Sequence, residues 1–187
     1  MGKSNKGSNF EREICKQLSL WWSDDKDEDI FWRTAGSGAR ATTRAKKGKK
    51  TYGNDGDIQA VNPIGEPLMK VCNIELKRGY SKHTITDLID KPKKAKKQMY
   101  EKFIEQTIEE NTNSGAKYWM LITKRDRREA LVLIPHWFYK KLKSICVTLN
   151  LQSFVKISMN YSIYVLRLYD FLMAVTPKNI KKIYRKL

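Results

Sequence analysis

The sequence predicts an α/β fold of the α+β kind, a central mixed β-sheet flanked by helices. Three observations predict it. Segments of helical period and segments of strand type follow one another in the order helix, strands, helix, strands, helix. One strand segment, "KYWMLIT" (residues 117–123), is apolar almost throughout. Apolar residues make up 41% of a 187-residue chain, enough for a single domain over residues 1–187 with its own core.

Each element has its own signal. Residues 8–22 read as a helix, and Ser8 followed by Glu11 has the form of a capping box. The charged run "SDDKDED" ends it. "IFWRT" (30–34) is a short strand. Residues 35–56 are rich in glycine and lysine, have no hydrophobic period, and read as a basic loop. "DIQAV" (57–61) is a strand, Asn62-Pro63-Ile64-Gly65 a turn, and Met69–Lys77 the next strand. The short connection predicts that these two strands pair as an antiparallel hairpin. Pro92 suits the first turn of a helix reaching about Glu110, with Met99, Phe103, Ile104 and Ile108 inward. "KYWMLIT" and "ALVLIP" are strands around the turn "KRDRRE". Pro135 opens the short helix "HWFYKKL". Residues 152–168 read as two alternating strands around Asn160-Tyr161. Thr176-Pro177 caps a basic terminal helix. No internal repeat is present.

Charge narrows the function. Thirty-seven basic residues against 20 acidic ones give +17, an excess that repels itself and suits a polyanionic partner. The lysines are spread along the chain rather than gathered on one amphipathic helix, which favours nucleic acid over a membrane surface. The N-terminal "MGKSNKGSNF" lacks an apolar signal core, and no apolar run reaches the ~18 residues that span a bilayer. Cys15, Cys72 and Cys146 are odd in number and far apart. They make neither a zinc pattern nor a disulfide framework, as suits a cytoplasmic protein. That cytoplasm is a host's if a phage or mobile element encodes the chain. His83 and His136 are isolated and read as surface or loop histidines.

The carboxylates narrow it further. With Phe10 set at 0° and 100° per residue, Ile14, Leu18, Trp21 and Trp22 fall within about 0–120° and Glu11 at about 100°, inside that arc. A carboxylate turned inward is costly unless it is paired or bound to metal. Glu11 also has a plainer role open to it, closing the capping box on Ser8, and the two are compatible. On the strand "NIELK", Glu75 and Lys77 share one face and Ile74 and Leu76 the other. Alone, that E-x-K reads as a solvated face; Asp24-Asp25-Lys26 has the same spacing. The hairpin sets Asp57 beside Glu75, and Glu11 completes a trio. Like charges so close repel unless a cation neutralises them. Oxygen donors without clustered His or Cys point to Mg²⁺ or Mn²⁺ rather than zinc.

These motifs resemble the PD-(D/E)xK nuclease superfamily, with the closest match to archaeal-type Holliday junction resolvases. Lys6-Gly7-Ser8-Asn9-Phe10-Glu11-Arg12 fits their opening K-G-S-x-x-E-R helix. Arg33 and Gly36-Ser37-Gly38 fit the arginine and the S-G loop that follow. Gly56-Asp57-Ile58 and Ile74-Glu75-Leu76-Lys77 fit P-D-I and I-E-x-K. The resemblance covers residues 6–80. It departs in the glycine at 56, read as a harmless replacement of proline, in a longer basic loop, and in a larger C-terminal region. Residues 110–187 are expected to complete the sheet and add a C-terminal elaboration.

The resemblance implies a restriction-endonuclease-like core and metal-dependent hydrolysis of DNA, most closely of branched DNA in recombination. It implies Asp57, Glu75 and the Leu76 carbonyl as Mg²⁺ or Mn²⁺ ligands, with Glu11 directly, through water, or on a second ion. Lys77 serves the attacking water and, preferably, the charge of the transition state. Ser37 and Gly38 approach phosphate. Arg33, Arg40, Arg44, Lys46, Lys47, Lys49 and Lys50 grip the backbone. "KPKKAKK" (91–97) either extends that surface or is a solvated helix face. A resolvase is a two-fold homodimer, and Trp21, Trp22, Trp32, Trp119 and Trp137 are candidates for its apolar contact, most of them belonging to the core. Two rivals remain: a duplex or nicking endonuclease, restriction-like or DNA-processing in a phage, and a basic nucleic-acid-binding protein without catalysis.

Overall fold

A computed structural model describes residues 6–34, 56–90, 97–146, 155–158 and 162–187. Helix α1 spans Lys6–Ser23. It buries Phe10, Ile14, Leu18 and Trp22, one residue per turn along a single stripe. Ser8 therefore lies within the helix rather than at its cap, and the expected capping box is absent. The Ser8 hydroxyl instead accepts from Arg33 Nη1 at 2.6 Å.

Strand β1 (Phe31–Arg33) pairs antiparallel with β2 (Ile58–Ala60) in a separate two-stranded sheet, with Trp32 opposite Gln59. This overturns the hairpin expected between residues 57–61 and 69–77. The reason lies in two prolines. Asn62 caps a 3-10 turn at Pro63–Gly65, its side chain accepting from the Ile64 N–H. Pro67 then sits in the first turn of α2 (Glu66–Val71). Preset φ and a missing N–H suit proline to a helix start, so Met69, Lys70 and Val71 are helical and strand β3 begins at Cys72 and ends at Arg78.

Among the described residues the main sheet has five strands, in the order β3-β4-β5-β7-β6. Its others are β4 (Tyr118–Lys124), β5 (Ala130–Pro135), β6 (Val155–Ser158) and β7 (Ser162–Arg167). β3 and β4 run parallel, Glu75 opposite Leu121; the remaining pairs are antiparallel. A parallel pair needs a crossover, and α3 (Met99–Ser114) supplies it. Gln98 and Glu101 form its capping box and Gly115 closes it at φ +70°. Pro92, the expected start of this helix, lies outside the described residues. Helix α4 (His136–Lys143) follows β5 directly, α5 (Leu168–Ala174) follows β7, and α6 (Pro177–Tyr184) starts at the Thr176 cap. The sequence pattern signals no element at α5, nor at the 3-10 turn Ile85–Leu88.

Both faces of the sheet are covered. Ile74, Leu76, Met120, Ile122, Val132 and Ile134 pack with α1, α2, α4, α5 and α6. Trp119, Leu121, Leu133, Ile163 and Val165 pack with Tyr100, Phe103 and Ile104 of α3 and with Leu88. The C-terminal half also anchors α1: Trp21 Nε1 donates to the carbonyls of Leu172 and Val175, both at 3.0 Å. The sheet between two helical layers is the restriction-endonuclease-like arrangement the motifs imply.

Candidate active site

The site forms where Gly56-Asp57 meets the outer edge of β3. The Asp57 N–H donates to the Ile74 carbonyl at 2.9 Å, and Asp57 Oδ2 accepts from the Leu76 N–H at 2.8 Å. On the other side the Asp57 carbonyl accepts from the Thr34 N–H at 2.9 Å, and the Thr34 hydroxyl donates to the Gly56 carbonyl at 2.8 Å. Asp57 thus reaches Glu75 by docking on a strand edge, without a hairpin. Glycine at 56 makes the approach possible. A Cβ there would lie 2.6 Å from the Ile74 carbonyl oxygen and 2.5 Å from Asn73 Oδ1. Proline carries the same Cβ, so the glycine is required by this geometry and is not the harmless replacement it resembles in sequence.

Glu75 is 3% exposed, which overturns the solvated-face reading of E-x-K. Its face of β3 is not open, because α3 covers it. Lys77 Nζ donates to Glu75 Oε1 at 2.5 Å and stands 5.7 Å from the centre of the Phe103 ring. Gln106 Nε2 also reaches Glu75 Oε1, at 3.3 Å, and donates to Glu110 Oε1 at 2.8 Å.

Burial dominates the electrostatics. The Asp57 carboxyl is raised above its ordinary value by burial, against the pull of the Leu76 N–H and of Lys77, with Glu11 and Glu110 pushing it further up. Glu75 is pushed up to about 9 by burial, then by Asp57 and by a hydrogen bond with Glu110, despite Lys77. Burial alone would lower Lys77, but Glu75, Asp57 and Glu110 outweigh it and hold the ammonium protonated. Cys15, beneath the site, is pushed up to about 12 by burial and by Glu11 and Asp57, so its thiol stays neutral.

Glu11 stands in the field of Asp57 without joining it at ligand distance. Its Oε2 accepts from Arg33 Nη1 at 3.2 Å, and that guanidinium also holds Ser8. Among the described residues no three of His, Cys, Asp and Glu are grouped closely enough to hold a metal ion. Glu11 is thus paired with Arg33, while its charge still acts on Asp57. Asp57 and Glu75 still suit a hard cation. Asp57 is half-buried and Glu75 buried, Asp57 raises the Glu75 pKa, and the Leu76 carbonyl is a third oxygen close by. Backbone groups of one strand residue point to one edge, so its carbonyl lies on the Asp57 side, away from β4.

Ser37, Gly38, Arg40, Arg44, Lys46, Lys47, Lys49 and Lys50 lie outside the described residues, as does "KPKKAKK" apart from Lys97, which pairs with Glu105. Two residues near the acids were missed in the sequence, Gln106 and Glu110. Taking Phe103 as 0°, Glu110 falls at about 340°, between Met99 and Phe103. That is the argument that singles out Glu11.

Compared with known families, the chain matches, over residues 2–182, the family described as Phage putative PDDEXK endonuclease. The chain belongs to that family. No curated protein and no solved structure matches it. Membership in this PD-(D/E)xK endonuclease family covers the C-terminal half that the motifs at residues 6–80 leave unmatched. It makes the chain a nuclease, of a superfamily that uses divalent metals. Among the described residues no helix is long and apolar enough to cross a membrane.

Proposed function

We propose that the chain is a Mg²⁺-dependent DNA endonuclease, with Mn²⁺ as a substitute, and that its substrate is a four-way DNA junction. One observation carries the catalytic part: the double clamp of Asp57 on β3, which sets a half-buried carboxylate beside the Glu75–Lys77 pair. Asp57, Glu75 and the Leu76 carbonyl would hold the cation. When bound, it activates a water and offsets charge on the scissile phosphate. Lys77 keeps its proton and stays pinned to Glu75, so it contributes fixed positive charge to the transition state rather than accepting a proton. Glu11 adds negative charge at the rim, and Arg33 orients it. The basic residues from Arg40 to Lys50 hold the sugar-phosphate backbone.

The four motifs in order favour a junction substrate, and a junction needs two symmetric cuts, hence a homodimer. Trp32 and Trp137, 44% and 50% exposed, are apolar surface open to such a contact. The test uses end-labelled four-way junction, linear duplex and single strand, with Mg²⁺ or EDTA, beside Glu75→Ala. Paired nicks in the junction alone are expected. EDTA should abolish them and Glu75→Ala should reduce them by about 10²-fold or more. Equal cutting of the duplex would discard the junction and keep the nuclease. Retained binding with no cation-dependent cutting of any substrate would discard the nuclease.

A further inference from the structure

The two carboxylates that resemble the family motif are not the whole of the site's negative charge. Glu110 reaches it from α3, an element the motifs do not include. Its Oε1 accepts from Gln106, and the same amide nitrogen holds Glu75 Oε1, so one side chain straps the two acids together. Its Oε2 is buried and meets no N–H or hydroxyl donor. The Glu110 and Glu75 carboxyls are hydrogen-bonded to each other, and two carboxyl groups in contact need either a shared proton or a cation between them. Asn73, on the Glu75 face of β3 and 5% exposed, has an amide nitrogen buried without a partner. Its Oδ1 stands against the Gly56 position next to Asp57. Buried polar atoms are almost always satisfied, and those without protein partners mark bound water or an ion. The Glu110 acceptor and the Asn73 donor both flank Glu75, and a hydrated cation between them would supply a partner to each.

We propose that Glu110 is a fourth acid of the site, a positioning residue that acts on the bound divalent cation through its charge and through water, with Gln106 holding it against Glu75. The inference rests on the cation-dependent nuclease reading. Outer partners of this kind commonly change metal affinity by about 10–100-fold.

The test is Mn²⁺ binding, titrated by the electron paramagnetic resonance signal of free Mn²⁺, in the wild type, Glu110→Gln, Glu110→Asp and Asp57→Asn. Thermal unfolding in EDTA is measured beside it. Glu110→Gln should weaken Mn²⁺ binding about 10-fold and leave the cation-free Tm close to that of the wild type, because glutamine keeps an acceptor for Gln106. Glu110→Asp should keep most of the affinity. Asp57→Asn should bind worst. If Asp57→Asn loses Mn²⁺ while Glu110→Gln binds within twofold of the wild type, Glu110 is structural and the inference fails alone. Weaker binding with a lower cation-free Tm would mean that packing was lost, and would also overturn it. A wild type that binds no Mn²⁺, or an Asp57→Asn variant as tight as the wild type, would remove the nuclease reading with it.

Discussion

At the scale of single residues, Glu75 has the most to say. A carboxyl raised in the folded chain is one that folding helps to protonate. Unfolded, Glu75 releases its proton near the ordinary 4.5; folded, near 9. Between those values the folded state holds more protons than the unfolded one, so stability falls as pH rises. The contribution is complete below about 4.5 and gone above about 9. Thermal unfolding in EDTA across that range should show a falling Tm, and Glu75→Gln should flatten most of the slope. Asp57, raised in the same direction, accounts for the remainder. With Mg²⁺ in place of the proton, the stabilisation by the cation should grow over the same interval. Asp57, Glu75 and Lys77 were legible in the sequence because their chemistry resides in residue type and spacing. That Arg33 pairs with Glu11 was not, since the contact spans 22 positions and depends on how α1 meets β1. Gln106 was hidden for a related reason: on the helix alone it is one more polar side chain, and only the docking of α3 brings it to Glu75.

At the scale of elements, Gly56-Asp57, just before β2, is the sensitive place. Gly56→Ala should push Asp57 off β3, since one of the two close approaches is to backbone that cannot move aside. We expect a loss of about 1–3 kcal/mol in urea unfolding, unchanged circular dichroism, and cleavage reduced as far as in Asp57→Asn. Thr176→Ala removes a side-chain cap far from the site. It should cost about 1 kcal/mol and leave cleavage intact, which separates stability from chemistry. α1 could be read from its periodic stripe and α6 from its Thr176-Pro177 cap. α2 could not. Pro63 and Pro67 are equally good signals for a turn and for a helix start, and the choice between them moved a strand boundary by three residues and replaced a hairpin with a docked segment. α5 was hidden because "LYDFLMA" continues an apolar strand without a breaker.

At the scale of the whole molecule, the proposed function assigns the basic excess to DNA binding rather than to the fold. Replacing Lys46, Lys47, Lys49 and Lys50 with glutamine should leave Tm in place. It should lower the salt slope of DNA affinity by about 0.9 for each phosphate that is no longer neutralised, as a fluorescence-anisotropy titration at several salt concentrations would read. The edge position of β3 has a further consequence. An outer strand offers unpaired amides and carbonyls to any passing chain, and proteins shield such strands to stay soluble. Here the shield is Asp57, which occupies the Ile74 carbonyl and the Leu76 N–H. The residue that would bind the cation also keeps the sheet from growing by a neighbour's strand. Asp57→Ala should therefore be prone to self-association as well as inactive, whereas Asp57→Asn retains an acceptor for Leu76 and should remain monodisperse in light scattering. The choice of inactive variant for a DNA complex follows from the sheet as much as from the chemistry.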